Sequence, residues 1–192
     1  MRVISGTARG RRLAAPPGER VRPTADRVKE ALFSILTSLL GNFEGIRTLD
    51  IFAGTGNLGI EALSRGGAET IFIDNHRESA ATVKKNLDTL GFAGQGTVVI
   101  KDAVAAIAAL EGAGRPFQLI LLDPPYRLGM AGQVLERLAG SPLVADETII
   151  MAETADDEEI VAAFGPLRMF DRRVYGDTAL SFFRKGTSTD HA

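Results

Sequence analysis

The chain lacks cysteine altogether and contains only two histidines, His76 and His191, among its 192 residues. Without cysteine there can be no disulfide bonds, thiolate metal sites or cysteine nucleophiles. A Ser-His-Asp hydrolase needs a histidine base and a multi-histidine metal centre needs several, so this composition disfavours both classes. The sequence therefore predicts no metal site and no catalytic histidine.

Long apolar runs are also missing. No stretch approaches the length that crosses a bilayer, and the N-terminal sequence MRVISGTARG lacks the apolar core of a signal peptide. We therefore expect a cytoplasmic protein without a membrane partner. Because about 150 residues per domain is typical, residues 1–185 are expected to form one domain. Residues 186–192 are expected to be a disordered tail, and a monomer is the default.

Charge is distributed unevenly along the chain. Residues 1–30 carry eight basic and three acidic side chains, a net charge of +5, whereas the whole chain carries −2, which leaves −7 for the remainder. A basic arm on an acidic body suits a polyanionic partner that approaches one end of the protein. The alternative is a merely solvated basic tail.

Apolar patterning from residue 46 onward predicts a doubly wound α/β fold, because strand-like and helix-like segments alternate. Strands this apolar must be covered on both faces, which favours a parallel sheet with crossover helices. The acidic segment 156–165 is predicted as the last helix of this alternation. The segments LRMFDRRV and TALSFFRK, separated by YGD, predict a C-terminal antiparallel hairpin added to a sheet edge.

The N-terminal region has a different pattern. Val3 and Leu13 lie in a short alternating segment interrupted by two glycines, which predicts a small hairpin followed by a proline-rich connector. Thr24 is predicted to cap the helix that follows, with Asp26 in its first turn and Gly41 at its end.

A glycine-rich turn lies between the first predicted strand and the next helix. The segment TLDIFAGTGNLGIEAL places Gly54, Gly56 and Gly59 in G-x-G-x-x-G spacing. Gly54 and Gly56 would let a ligand approach the backbone, and Gly59 would let the helix pack closely on the strand. Asp74 ends the next strand, where a carboxylate can accept hydrogen bonds from ribose hydroxyls. Together these residues predict a nucleoside ligand.

The glycine spacing does not distinguish NAD from S-adenosylmethionine (SAM), since both contain adenosine. Asp50 begins the turn, where a carboxylate suits an ammonium and sulfonium ligand and would repel a pyrophosphate. Asp102 follows the third strand and is placed to accept a hydrogen bond from the adenine amine. These two acids favour SAM.

A second motif lies in LILLDPPYRLG, where a predicted buried strand ends at Asp123. The following prolines fix their own φ and have no N–H, so the loop is stiff and offers acceptors, the Asp123 carboxylate and the Pro124 carbonyl. Asp-Pro also ends strands for purely structural reasons. Because the carboxyl ends of parallel strands open on one crevice, we expect Asp123 to face the ligand held by Gly54 and Asp74.

Two fixed acceptors beside a methyl donor suit one class of nucleophile, the exocyclic amine of a nucleobase. The lone pair of that nitrogen is delocalised into the ring. Hydrogen bonds from both N–H groups to fixed acceptors favour a pyramidal nitrogen whose lone pair points at the sulfonium methyl. Tyr126 would stack on the base, which must be unstacked or flipped to reach the loop. The motif thus predicts an amino-methyltransferase without naming its base.

The order of the segments RPTADRVKEALFSIL, LDIFAGTGNLGIEALSRG, LDPPY and YGDTALSFFRK, preceded by SGTARGRRL, resembles the RsmD type of bacterial 16S rRNA guanine-N2 methyltransferase, as far as about Lys185. The D-P-P-Y and glycine motifs are shared by many amino-methyltransferases, whereas G-x-x-R-G-R-x-L and R-P-T-x-D-R-V are more specific. The resemblance implies a Rossmann-like, seven-stranded class I SAM methyltransferase sheet with a small basic N-terminal hairpin and helix. It implies a guanine of 16S rRNA as substrate, within an assembled 30S subunit or a late precursor.

The resemblance also implies roles for individual residues. The catalytic loop is Asp123, Pro124, Pro125 and Tyr126. The site for SAM and its product S-adenosylhomocysteine comprises Asp50, Phe52, Gly54, Gly56, Asp74, Asp102 and Asp123, with Asp50 supporting the glycine turn. Contacts to RNA phosphates come from Arg9, Arg11, Arg12 and Arg22. No role is assigned to Asn75, His76 or Glu153.

Three alternatives stay open. The D-P-P-Y tetrapeptide also permits an adenine-N6 or cytosine-N4 nucleic-acid methyltransferase, although such enzymes normally carry a separate target-recognition segment. A protein with the SAM fold could act as an RNA-binding assembly factor without activity. The intact Asp123 loop argues against this alternative, because the loop would then have no chemical role. An NAD oxidoreductase is disfavoured for the same reason, because the Pro-Pro-Tyr sequence would have no role in hydride transfer.

Overall fold

A computed structural model describes residues 1–15, 23–112 and 114–186, with the side chains of residues 23–25 excepted. The chain forms two compact units, residues 1–102 and 103–192. Arg22 and residues 187–192 of the predicted tail lie outside the described residues, and the single domain over 1–185 stays a prediction. Within the described ranges, no helix has both the length and the apolar character that crossing a membrane requires.

The first unit alternates helices and strands as predicted. Its elements are α1 (Pro23–Leu40), β1 (Arg47–Ile51), α2 (Asn57–Ser64), β2 (Glu69–Asp74), α3 (Arg77–Leu90) and β3 (Gly96–Ile100). The three strands are parallel in the order β3-β2-β1, with Asp50 beside Phe72 and Asp74 beside Ile100. The carboxyl ends of β1 and β2 therefore carry the two predicted ligand acids.

Helix α1 begins two residues earlier than predicted, since a cap at Thr24 would make Ala25 its first residue. It starts at Pro23, so Thr24 lies inside the helix and the predicted N-cap at Thr24 is wrong. Proline is well suited to the first helical position, because it has no N–H to leave unpaired and its φ already matches the helix. The inner face of α1 buries Val28, Leu32 and Leu36, whereas Leu39 near its end is exposed.

The basic N-terminal segment folds as a hairpin. Arg2 and Arg12 form an antiparallel bridge, and the Val3 amide donates to the Arg11 carbonyl at 2.9 Å. Val3, Ala8 and Leu13 are buried in one cluster with Phe72, Val83 and other side chains of the first unit. The described part of the basic arm is therefore a packed hairpin and not a solvated tail.

The second unit contains helices α4 (Ala103–Glu111) and α5 (Met130–Ala139). Its strands are β4 (Phe117–Leu122), β5 (Val144–Ala155), β6 (Ala163–Phe164), β7 (Leu167–Tyr175) and β8 (Thr178–Lys185). β4 and β5 are parallel, whereas β8, β7 and β6 follow β5 in antiparallel order. Gly176, with a φ of 64°, forms the turn between β7 and β8. The predicted C-terminal hairpin is confirmed.

The helix predicted over residues 156–165 is wrong. Residues 156–162 form a turn and an irregular segment, and residues 163–164 form β6. The carboxylate of Glu158 accepts hydrogen bonds from the backbone amides of Arg127 and Gly129, while Asp157 pairs with the Arg127 guanidinium. The acidic turn, residues 156–159, is thus held by contacts to the loop after β4. The helix was predicted from local apolar spacing, which carries no information about such distant contacts.

Candidate active site

The glycine turn between β1 and α2 contains several residues with left-handed backbone conformations. φ is 66° at Phe52, 54° at Gly54 and 79° at Gly56. A positive φ at a non-glycine residue costs about 1–3 kcal/mol and persists where the surrounding structure imposes it. Here the Ala53 amide donates to the Ile73 carbonyl at 3.0 Å, and the Gly56 amide donates to the Ala53 carbonyl at 2.7 Å. The turn is therefore fixed by β2 and by its own hydrogen bonds.

The three glycines of the turn differ in what a side chain would meet. A Cβ at Gly54 would have only the Phe52 carbonyl within 4.0 Å, so this backbone faces open space. A Cβ at Gly56 would lie 3.1 Å from Ile60 and 3.3 Å from Val83, inside the core. At Gly59 a Cβ would collide with the Phe72 ring, which confirms that this glycine permits close packing of α2. Gly54 alone thus leaves the backbone open to a ligand.

Asp74 connects the glycine turn to the start of α3. Its Oδ2 accepts a hydrogen bond from the Gly54 amide at 2.9 Å, and its Oδ1 accepts one from the His76 amide at 2.8 Å. The side chain is half-buried at the end of β2. Each carboxylate oxygen retains a second lone pair that a ribose hydroxyl could use.

Asp50 lies beneath the turn and is only 1% exposed. Its Oδ2 accepts a hydrogen bond from the Gly59 amide at 2.9 Å, which ties β1 to α2. Burial raises the pKa of the Asp50 carboxyl to about 7, the Gly59 hydrogen bond opposes this shift, and the negative charge of Asp74 adds to it. The geometry supports the positioning role predicted for Asp50; its direct contact with a ligand stays a prediction.

The buried Asp50 should make stability fall as pH rises. Its pKa in the folded protein, about 7, exceeds its ordinary value of 3.8, so the folded state binds more protons between these values and is favoured at the acidic end. Relative to Asp50→Asn, which keeps an acceptor for Gly59, the wild type should lose up to about 4 kcal/mol between pH 4 and pH 7. Urea unfolding of both proteins across this range measures the difference, and parallel pH profiles would contradict it.

The other residues predicted near this ligand site occupy more exposed positions. Asp102 is exposed and lies two residues beyond the end of β3 at Ile100. Asn75 and His76 are exposed between β2 and α3. His76 contributes its backbone amide to Asp74 and takes the N-cap position of α3 without a capping hydrogen bond from its side chain.

The D-P-P-Y loop follows β4 directly, as predicted. Asp123 and Pro125 are exposed, Pro124 is buried and Tyr126 is half-buried. The Tyr126 hydroxyl donates a hydrogen bond to Glu153 Oε1 at 2.5 Å and lies 3.2 Å from Thr178 Oγ1. Burial, followed by the negative charge of Glu153, raises the pKa of the Tyr126 hydroxyl, which therefore stays protonated as a donor at neutral pH.

From the sequence, no role was assigned to Glu153 and Thr178 was not named, yet both hold the Tyr126 hydroxyl. Glu153 lies inside β5, opposite Leu180 of β8, and does not end the strand. Burial raises the pKa of its carboxyl, and the hydrogen bond from Tyr126 opposes that shift. In the sequence, the signal for Glu153 was an acidic residue within an otherwise apolar strand segment. Together the two side chains fix the position of the Tyr126 hydroxyl.

Arg127 continues the loop with a φ of 62°. Its backbone amide donates to Glu158 Oε2 at 2.6 Å, and its guanidinium lies 2.9 Å from Asp157 Oδ1. The Gly129 amide donates to the other oxygen of Glu158 at 3.3 Å. The acidic turn thereby holds the exit of the D-P-P-Y loop, while the prolines stiffen its entrance.

The predicted RNA-binding arginines of the hairpin are not equivalent. Arg9, Arg11 and Arg12 are all exposed, but Arg11 donates from Nη2 to the Thr89 carbonyl at 2.8 Å and so anchors the hairpin to the end of α3. Asn86 links the same hairpin to the glycine turn, because its amide group accepts from Ala14 at 2.8 Å and donates to the Thr55 carbonyl at 2.9 Å.

The buried ion pair of Lys29 and Glu61 holds the hairpin against α1 and α2. Glu61 accepts hydrogen bonds from the amides of Ile4 at 2.8 Å and Ser5 at 3.0 Å. The Lys29 ammonium lies 3.3 Å from the Glu61 carboxylate and donates to the Arg2 carbonyl at 2.6 Å. Burial lowers the pKa of Lys29, and the charge of Glu61 opposes the shift. Helix α2 thus holds both the hairpin and the glycine turn from which it begins.

The predicted residues therefore fall into two groups with defined geometry. In the first unit, hydrogen bonds connect Asp74 with Gly54 and Asp50 with Gly59. In the second unit, the loop from Asp123 to Tyr126 is fixed by side chains that lie far away in sequence. That Asp123 faces the ligand of Gly54 stays a prediction.

The alternating elements, the glycine turn and the C-terminal hairpin define the α/β methyltransferase fold. The solved structure of "Putative methyltransferase yhhF from Escherichia coli" aligns with a TM-score of 0.82 and 30% identity, covering 96% of this chain and 97% of that one. The doubly wound fold predicted from the sequence is confirmed. β6 brings the strands in the described ranges to eight, where the resemblance implied seven.

The family model described as Conserved hypothetical protein 95 matches residues 1–184, and the chain belongs to this RsmD family. "Putative rRNA methyltransferase YlbH" of Bacillus subtilis is 38% identical over 185 residues, which cover 96% of this chain and 99% of the relative. "Ribosomal RNA small subunit methyltransferase D" of Escherichia coli K12 is 33% identical over 185 residues, covering 96% and 90%. The resemblance noted in the sequence is confirmed.

Proposed function

We propose that this protein transfers a methyl group from SAM to the exocyclic N2 amine of a guanine in bacterial small-subunit rRNA. The observation that carries the proposal is the D-P-P-Y loop at the end of β4, in which Glu153 and Thr178 hold the Tyr126 hydroxyl and Glu158 holds the exit of the loop. Membership of a family whose relatives are named as rRNA methyltransferases supports rRNA as the substrate class.

The glycine turn fits a SAM ligand. The backbone at Gly54 faces open space where a Cβ would meet almost nothing, and Asp74 beside it holds acceptors suited to ribose hydroxyls. Phe52 and Asp102 complete the proposed set together with Gly56, whose left-handed backbone shapes the turn. Asp50 orders the turn through its hydrogen bond from the Gly59 amide. When bound, SAM supplies an electrophilic methyl group on a sulfonium.

The loop of the second unit binds and orients the base. The Asp123 carboxylate and the Pro124 carbonyl accept the two N–H groups of the guanine amine, and the Tyr126 ring stacks on the base with about 1–3 kcal/mol. The amine nitrogen forms a bond to the methyl carbon as the carbon–sulfur bond breaks, and the surplus proton passes to water. Most of the acceleration comes from alignment, because the leaving group is already activated.

The substrate can be tested with radiolabelled SAM. The protein would be offered protein-free 16S rRNA, assembled 30S subunits, late precursors and duplex DNA, followed by nucleoside analysis of each. We expect label in N2-methylguanosine from a small-subunit rRNA substrate. Label in N6-methyladenosine or N4-methylcytosine would transfer the proposal to another base, and absence of label from all substrates would favour a binding-only assembly factor.

Arg9 and Arg12 should neutralise RNA phosphates in an interaction that salt weakens. Changing both to glutamine, with the anchoring Arg11 retained, should weaken RNA binding and reduce the slope of log K against log salt by about 0.7 to 0.9 for each phosphate that is no longer neutralised. The matched control is Lys84→Gln with Lys85→Gln, which removes two charges from α3. A salt slope unchanged by the arginine substitutions, measured by anisotropy titration, would exclude the hairpin from RNA binding.

A further inference from the structure

Glu153 is a carboxylate inside an otherwise apolar part of β5. Its neighbours Ala152 and Thr154 are 0% and 1% exposed, and Leu180, which lies opposite it on β8, is fully buried. Among the described residues, the Tyr126 hydroxyl is the one hydrogen-bond donor to Glu153, and no cation pairs with it. A carboxylate placed among buried groups with a single donor is unfavourable for folding. The stability of the sheet therefore does not account for this residue.

The hydrogen bonds around the Tyr126 hydroxyl run in one direction. Tyr126 has one hydroxyl proton, which it donates to Glu153 Oε1 at 2.5 Å. Thr178 Oγ1, at 3.2 Å, is then the donor to the Tyr126 oxygen. Because Thr178 pairs with Ala155 and alternate residues of a strand share a face, Glu153 and Thr178 lie on the same face of the sheet. The hydroxyl is thus tied to two adjacent strands.

The other end of the Tyr126 side chain is restrained by the backbone of the loop. Pro124 and Pro125 precede it with a fixed φ, and the Arg127 amide that follows donates to Glu158 Oε2 at 2.6 Å. The side chain is therefore held at its Cα and at its hydroxyl. The ring cannot swing away about χ1 without breaking the hydrogen bond to Glu153.

We propose that Glu153 is a positioning residue for methyl transfer, which holds the Tyr126 ring through its hydroxyl and so aligns the stacked base with Asp123. The inference rests on the proposed function, because that function supplies the base. Glu153 needs no contact of its own with RNA or SAM. Since it acts on alignment, its loss should lower the rate of transfer far more than the affinity for either substrate.

Three variants separate the acceptor from the charge. Single-turnover transfer from labelled SAM would be measured over a range of concentrations of the rRNA substrate. Glu153→Leu removes the acceptor and should lower the maximal rate about tenfold or more, with the half-saturating RNA concentration and the SAM affinity within a few fold of wild type. Glu153→Gln keeps an acceptor oxygen and should retain most of the rate. The control Glu147→Gln, at an exposed site of the same strand, should not change it.

Stability should not follow the rate. Glu153→Leu replaces a poorly paired carboxylate by an apolar group of similar size, so its urea midpoint should equal or exceed that of the wild type. A less stable Glu153→Leu protein would give Glu153 a structural role and overturn the proposal. An unchanged rate in this variant would overturn it as well.

The loss of rate should pass through the Tyr126 hydroxyl. Tyr126→Phe keeps the ring and should lower the rate by a similar factor, and the double variant with Glu153→Leu should be no slower than the slower single variant. Losses that multiply in the double variant would mean that Glu153 acts by another route, contrary to the proposal. A wild-type rate in Tyr126→Phe would have the same meaning.

The hydrogen bond can also be detected without methyl transfer. The sequence contains no tryptophan and two tyrosines, so Tyr175→Phe leaves Tyr126 as the sole fluorescent residue. A tyrosine that donates to a carboxylate emits weakly, and Glu153→Leu in this background should therefore raise the emission, whereas Glu147→Gln should not. Unchanged emission would overturn the proposal. Absence of label on every RNA with wild-type protein would refute the proposed function, whereas a labelled RNA with unaffected Glu153→Leu would refute this inference alone.

Discussion

Replacement of Asp123 by alanine or asparagine should abolish methyl transfer, with a loss of kcat of about 100-fold or more, while SAM affinity stays within a few fold of wild type. Alanine removes the acceptor, and asparagine replaces one acceptor oxygen by a donor that opposes the substrate N–H. Asp123 is exposed directly after β4, so neither change disturbs a buried core. Single-turnover transfer from labelled SAM measures the chemical step, and calorimetry measures SAM binding.

The control for Asp123 is Asp146→Asn in the same unit. Asp146 is 94% exposed and pairs only loosely with Lys185 at 3.9 Å, so its substitution should leave turnover unchanged. Equal turnover in wild type and Asp123→Ala would remove this carboxylate from the chemistry. A parallel loss of SAM affinity and turnover would instead assign Asp123 to cofactor binding.

Replacement of Glu61 by alanine should destabilise the protein by about 3–5 kcal/mol, because it leaves the Lys29 ammonium buried without its counter-ion. The side chains of Glu61 and Lys29 are 0% and 2% exposed. The same change removes the acceptor for the Ile4 and Ser5 amides, so the hairpin should open and its amide hydrogens should exchange faster. Urea unfolding and hydrogen exchange measure the two effects.

The loss of stability in Glu61→Ala should come from the unpaired charge of Lys29 and not from the side-chain volume that is removed. The double variant Lys29→Met with Glu61→Leu replaces the ion pair by apolar groups of similar size and should recover part of the stability. Arg65 also pairs with Glu61, since its Nε lies 2.9 Å from Glu61 Oε1. It keeps a partner in both variants, because its guanidinium lies 4.9 Å from the centre of the Phe33 ring. Glu44→Ala, at an exposed site of the same unit, should change stability by less than about 0.5 kcal/mol. Similar losses of stability at Glu44 and Glu61 would contradict the argument.

Local patterns were sufficient for most elements of the fold. Strands β2 and β4 are short apolar runs, and they end where the sequence predicted, at Asp74 and directly before Asp123. The glycine spacing located the turn, since a positive φ and close packing by α2 leave few alternatives to glycine at these positions. Such features depend on neighbouring residues, which a sequence displays directly.

Local patterns failed where distant contacts decide the conformation. Residues 156–165 have a spacing suited to a helix, but Glu158 binds amides of Arg127 and Gly129 instead. The hydroxyl of Tyr126 is held by Glu153 and Thr178, which lie 27 and 52 residues away. Helical or strand periodicity in the sequence cannot predict these pairings between distant residues.

The sequence by itself determined the class of fold, the glycine turn, the proline-stiffened acceptor loop and the basic character of the N-terminus. Only the tertiary structure decided that the basic segment is a packed hairpin held by Glu61 and Asn86, that Asp50 is buried beneath the turn, and that Glu153 holds the Tyr126 hydroxyl. The division has a physical reason. Backbone conformation and apolar periodicity are properties of neighbouring residues, whereas burial, hydrogen-bond partners and pKa depend on which distant groups the folded chain brings into contact.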